Sequence, residues 1–245
     1  MALVKSYYAE TQTGEYLELN EDAVIAEPSV SLYGIIDGYG GSGIGDKITE
    51  LIKETVIENY GILSKDEDST LPLYFEPNYS IETNALINVL KLSHSKVIDL
   101  NSSKDSNSRG AASFLGCISK KNSIQLVGTG NCLALKISKD STSIVFFPHS
   151  NFEGSIIGTP DKNSTPYSGI GLLNEFEFFV REVKVNKKDK IILLSSGCYA
   201  AFNFVELAIL LKESKSDPKI FKNELCQLAN ARGSKSNQSI VCLEF

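Results

Sequence analysis

Between Ser113 and Ser138 three apolar runs follow one another with almost no chain between them. They occupy residues 113–119, 124–130 and 132–138, separated by Lys-Lys-Asn-Ser and then by Asn131 alone. Parallel neighbours need a crossover of roughly a dozen residues or more, so connections this short favour antiparallel pairing. The pattern therefore predicts an antiparallel meander, with Gly130-Asn131 as its second tight turn. Further strands are expected at 23–26, 31–37, 190–196 and 239–245, and at 175–185, where apolar and polar residues alternate.

Helical spacing places Ile44, Ile48, Leu51, Ile52, Thr55 and Val56 on one face of a helix over 44–59. A second helix is expected over 80–100, with Ser80 as its N-cap after Pro77. A third, 202–212, is apolar nearly all round, which implies burial. The fourth, 217–230, opens with Asp217 as cap and Pro218 at the first helical position and ends near Gly233. Strands, two helices, a meander, two helices and a closing strand suit an α+β architecture with sheet packed on sheet and helices outside. No repeat or linker interrupts 1–245, so one domain is expected, with mobile loops at 102–108 and 159–169.

At 245 residues and 42% hydrophobic content, the chain has the material for a substantial core. Its net charge of −6 argues against binding to nucleic acid or an anionic membrane, both of which demand a basic face. Neither a signal-like opening nor a stretch of roughly 20 apolar residues is present, so a cytoplasmic protein is expected. Cys117, Cys132, Cys198, Cys226 and Cys242 are odd in number, scattered and without a CxxC pair, which reads as buried thiols in a reducing compartment. His94 and His149 alone argue against a zinc site, and neither lies beside a nucleophile motif.

The densest local signal is IIDGYGGSGIGDK, residues 35–47, a strand running through glycines into a helix. Gly38, Gly40 and Gly43 match G-x-G-x-x-G, but the acidic candidate Glu58 falls inside the following helix and no second parallel strand is in reach. A phosphate loop fails because Ile48, not Ser or Thr, follows Lys47. Asp37 is more informative. It ends a buried strand and is followed by glycine, the setting in which a hard divalent cation finds a carboxylate, a carbonyl and room for waters. Asn20-Glu21-Asp22 precedes the strand at 23–26; if that strand pairs beside 31–37, Glu21, Asp22 and Asp37 face one cleft.

Taken in order, NEDA (20–23), DGYGG (37–41), GAAS (110–113), VGTGNCLAL (127–135), DKIILLSSG (189–197) and GSKSNQSIV (233–241) resemble the successive motifs of the PP2C-type (PPM) metal-dependent serine/threonine phosphatases. The likeness spans almost the whole chain. It implies an αββα sandwich, two antiparallel sheets flanked by helices, with a two-ion Mg²⁺ or Mn²⁺ centre at one end. Asp37 would then bridge the ions, Gly38 would lend its carbonyl to the first, and Glu21 and Asp22 would hold that ion's waters.

The departures from that pattern are concentrated in one place. Ser196 and Ser236 stand where the family has aspartates for the second ion, and Asn131 where it has an aspartate associated with a third. Leu17 replaces the arginine that grips phosphate, and Tyr39 the histidine that is a candidate general acid in many members. A serine hydroxyl cannot replace a carboxylate opposite a divalent cation in charge. The resemblance so corrected implies no catalytic residues in working order and at most one weakly held Mg²⁺ or Mn²⁺ ion. It points to a pseudophosphatase that binds a protein partner, such as a phosphoprotein or a kinase. The alternative is a weakly active Mn²⁺- or Mg²⁺-dependent phosphatase using displaced ligands such as Asp46 or Asp161. The flap at 149–169, with Gly158, is the expected partner surface, and Phe146, Phe147, Phe176, Phe178 and Phe179 are expected in the sandwich interior.

Overall fold

Strand alternation sends successive side chains to opposite faces, and here both faces are covered. In 32–40, for example, Ile35 packs into one hydrophobic cluster and Ile36 into another. That double burial is why the strands read as continuous apolar runs. The computed structural model describes residues 4–65, 74–139, 141–150, 166–214 and 217–245. Among these, one five-stranded sheet has the order β1 (Ser6–Gln12), β10 (Gln238–Glu244), β9 (Lys190–Leu194), β6 (Leu133–Ser138) and β7 (Ser141–Phe146). The other has the order β2 (Asp22–Glu27), β3 (Leu32–Gly40), β4 (Gly110–Ser119), β5 (Ser123–Thr129) and β8 (Phe179–Lys184). All these pairings are antiparallel.

The expected α+β sandwich is observed. Ile35, Leu115 and Leu126 meet Leu193, Val241 and Leu243 between the sheets. Helices α1 (Gly45–Leu63) and α2 (Ile81–Ser102) cover the outer face of the β3 sheet, packing Ile48, Ile52, Leu86 and Leu90 on Ile36 and Phe114. The short α3 (Ser196–Tyr199), α4 (Phe204–Glu213) and α5 (Pro218–Ala231) cover the other sheet, with Leu211, Phe221 and Leu225 against Ile192 and Ile240. The helix starts carry the expected caps: Ser80 Oγ accepts the Thr83 N–H at 3.2 Å, and Asp217 accepts from Lys219 and Ile220. Asn203 and Glu206 form a reciprocal capping box on α4. All five cysteines are buried and unbridged.

Several expectations need correction. The meander stops after its first hairpin, because β5 and β6 lie in different sheets. Gly130 takes φ +76° and the Asn131 N–H donates to Ser113 Oγ at 2.8 Å, so the chain turns a corner between layers. Three residues of extended chain span about 10 Å, the separation of stacked sheets, so the short connection serves a corner as well as a hairpin. The helix expected at 202–212 is buried on one side only; Val205 is 64% exposed while Leu207 and Leu211 are enclosed, because a single sheet lies beneath it. Of the five phenylalanines, Phe146 alone sits between the sheets. Phe176 and Phe178 pack on the α1–α2 side, and Phe147 and Phe179, at the edge strands, are 39% and 45% exposed. The strand expected from 175 begins at Phe179, and β1 and β7 were not anticipated. Of the loop at 102–108, Ser102 closes α2 and Ser106–Ser108 form a 3-10 turn. Gly158, Asp161 and most of the flap lie outside the described residues.

Candidate functional site

β2 and β3 pair in a register that sets Asp22 directly opposite Asp37. Directly opposed residues project to the same face with Cβ atoms about 5 Å apart, so two carboxylates are driven together. Both are nearly enclosed, 6% exposed for Asp22 and 8% for Asp37. Burial pushes both carboxyls up, that of Asp22 well up, and the neighbouring Asp37 pushes Asp22 further. Each also reaches across to the other sheet: Asp37 Oδ2 accepts the Ser196 N–H at 2.8 Å, and Asp22 Oδ2 accepts the Ser239 hydroxyl at 2.7 Å. Glu21 lies one residue upstream. Its Oε1 accepts the Gly45 N–H at the start of α1, at 2.9 Å, while burial raises its pKa.

Gly38 explains part of the glycine-rich signal. Its N–H donates to the Glu21 carbonyl at 3.0 Å, and a Cβ at this position would collide with that carbonyl, with Thr49 and with the Gly45 carbonyl. The close approach of β2, β3 and the α1 N-terminus thus requires glycine. The glycine is accounted for by packing at the Asp37 cleft.

These groups open onto a cavity of about 580 Å³. Nine residues singled out from the sequence line it: Glu21, Asp22, Asp37 and Gly38, and the departing positions Leu17, Tyr39, Asn131, Ser196 and Ser236. They come from points as far apart as residues 17 and 236, and the sandwich brings them to one end. Asn131 is held by its backbone, its N–H on Ser113 Oγ and its carbonyl accepting the Tyr199 hydroxyl at 2.6 Å. Ser113, Pro166, Leu172, Lys235 and Asn237 also line the cavity and were not singled out. Ser113 and Lys235 fall within motifs already quoted, and Asn237 follows Ser236; Pro166 and Leu172 carry no local signal. Asp46 is absent from the lining and bonds the adjacent Lys47 N–H.

The donor set does not fit a pair of divalent ions. Among the described residues that line the cavity, acid lies on the β2–β3 side alone, where one oxygen of each carboxylate already accepts a donor from the chain. The facing positions offer hydroxyls, amides and the Lys235 ammonium. Among the described residues, no group of three or more His, Cys, Asp or Glu side chains is placed to hold a metal ion. Among the same residues no helix is long and apolar enough to cross a membrane.

No protein-family model matches the sequence, and neither does any curated protein. Solved structures do match. PppA, described as a key regulatory component of T6SS in Pseudomonas aeruginosa, superposes with a TM-score of 0.76 at 20% identity, covering 98% of this chain and 96% of its own. The PPM Ser-Thr phosphatase MsPP from Mycobacterium smegmatis gives 0.76 at 17% identity, with 100% of both chains covered. The catalytic domain of the serine threonine protein phosphatase PstP, in complex with two manganese ions, gives 0.70 at 17% identity over 98% of this chain and 97% of that one. At such identities the likeness establishes the fold, which is that of the PPM/PP2C-type serine/threonine phosphatases.

Proposed function

We propose that this chain is a PP2C-like pseudophosphatase, a protein-binding regulatory module whose cleft does not hydrolyse phosphate esters. The observation that carries the reading is the uneven charge of the cavity. Glu21, Asp22 and Asp37 stand on one side, and Ser196, Ser236 and Asn131 occupy the positions where the resembled family has aspartates. Two-ion phosphoryl chemistry needs both the attacking and the leaving oxygen clamped by metal, and divalent affinity follows the number of anionic ligands. Leu17, where that family has arginine, removes a bidentate, charge-assisted phosphate contact as well. Binding and chemistry thus weaken together.

A single Mg²⁺ or Mn²⁺ held weakly by Asp37 and the Gly38 carbonyl, with Glu21 and Asp22 acting through water, is compatible with this reading. The partner we infer is a protein, a phosphoprotein or a kinase domain, presented to the cavity end of the sandwich. PppA, of the same fold, is described as regulatory. The displaced-ligand alternative draws no support from Asp46, which does not line the cavity. The test is aryl-phosphate hydrolysis with millimolar Mn²⁺, run beside Asp37→Ala. The expected result is no turnover above that control; turnover present in the parent and abolished by Asp37→Ala overturns the proposal.

A further inference from the structure

Behind Tyr39 lies a second cavity, of about 480 Å³, which shares Tyr39 and Leu172 with the first as a common partition. Its character is the reverse of its neighbour's. Arg109 is the one charged side chain among the described residues that line it, in a protein of net charge −6. The turn at 105–109 sets that side chain: Ser108 N–H donates to the Asp105 carbonyl at 2.9 Å, and the Arg109 Nε–H donates to the Lys104 carbonyl at 3.1 Å. The second bond orients the guanidinium through its inner nitrogen, while none of the salt bridges among the described residues engages its terminal fork.

The surrounding walls are fixed. Asn101 clamps Gly110 in both directions, donating to its carbonyl at 2.7 Å and accepting its N–H at 3.1 Å. His94 pins the opposite side, accepting the Gly171 N–H at 3.1 Å and bonding the Asn174 carbonyl at 3.3 Å. Ile98, Leu172 and Leu173 add apolar surface, and Ser102, Ser106 and Asn174 add polar groups. A cavity with mixed apolar and hydrogen-bonding walls and one oriented guanidinium fork matches an oxyanion carried on a short carbon chain.

We propose that this second cavity binds an oxyanion-bearing side chain of a partner peptide, phosphorylated or carboxylate, through Arg109. The site stands on its own residues and goes beyond the reading of the first cavity, since it holds whether or not that cavity is catalytic.

The probes are inorganic phosphate and glutarate at constant ionic strength, titrated into the ¹⁵N-labelled full chain. Amide shifts are expected at 101–111 and 171–174, with affinity falling about tenfold or more in Arg109→Gln and to an intermediate level in Arg109→Lys, which keeps the charge but loses the fork. A preference for phosphate assigns a phosphorylated partner and a preference for glutarate an Asp or Glu one; either supports the site. Shifts centred on residues 21–38, no shifts with either probe, or equal affinity in Arg109→Gln overturn it. Should Arg109→Gln lose its native spectrum, the shift map of the parent decides alone.

Discussion

The two sides of the principal cavity are built by the same kind of structure and differ in charge. On one side, adjacent strands β2 and β3 present Asp22 and Asp37, with Glu21 beside them. On the other, the β5–β6 corner, the start of α3 and the approach to β10 present Asn131, Ser196 and Ser236. The acidic side also tethers the sheets, since Asp37 and Asp22 hold Ser196 and Ser239 of the opposite layer. Carboxylates there have structural work independent of any ion. On the other side Ser236 is exposed, and the Asn131 backbone is fixed at both its N–H and its carbonyl.

The largest effect should come from making the two sides alike. Leu17→Arg, Asn131→Asp, Ser196→Asp and Ser236→Asp combined should raise Mn²⁺ affinity by about 100-fold or more in calorimetry, because ligand charge count moves divalent affinity over orders of magnitude. No gain would show that the neutral side differs in backbone geometry as well as in charge.

Next is the tether. Asp37→Ala leaves the Ser196 N–H without its acceptor, and an unsatisfied donor in an enclosed site costs about 1–3 kcal/mol. The thermal midpoint should drop by several degrees; an unchanged midpoint would mean that the sheets do not depend on this bond.

A smaller, pH-dependent effect concerns the segment that forms the lip at Leu172. Burial holds the His94 imidazolium form down, assisted by Lys91 and opposed by the Asn174 bond, so its pKa lies below 6.5. A depressed folded pKa gives a contribution that is complete above the unfolded value and lost as pH falls through the folded one. Protonated Nδ1 cannot accept the Gly171 N–H. Between pH 7.5 and 5 the parent should therefore lose more thermal stability than His94→Gln, by a difference on the order of a few °C. Identical pH profiles would remove His94 as the cause. Smallest of all, Ser236→Ala should stay within about 0.5 kcal/mol in chemical denaturation, as expected of an exposed side chain without a tether. A larger loss would erase the contrast between the two sides.

How far the sequence carried these conclusions depended on whether a signal was local. Asp37-Gly38 was legible because a carboxylate ending an apolar strand before an obligatory glycine has few other uses. The Asp22–Asp37 pairing was legible too, as a condition on two neighbouring strands. Lys235 and Ser113 lay within recognised motifs and still went unremarked, and Pro166 and Leu172 had nothing around them to mark a cavity lip. The exposed faces of Val205 and Phe179 were misread for one reason: apolar content says that a residue favours burial and does not say whether a second layer exists to bury it.

By itself, then, the sequence determined the strand and helix inventory at the centre of the chain, the antiparallel sense of the β4–β5 hairpin and the neutral side chains at residues 131, 196 and 236. These follow from periodicity, connection length and residue identity, all properties of short stretches. Only the tertiary structure decided that β6 leaves the sheet of β5, that nine residues from six separate stretches meet in one cavity and that Arg109 stands behind its partition. The reason is geometric: a strand that is apolar on both faces is equally satisfied beside its neighbour or across from it. Packing two complete sheets settles which.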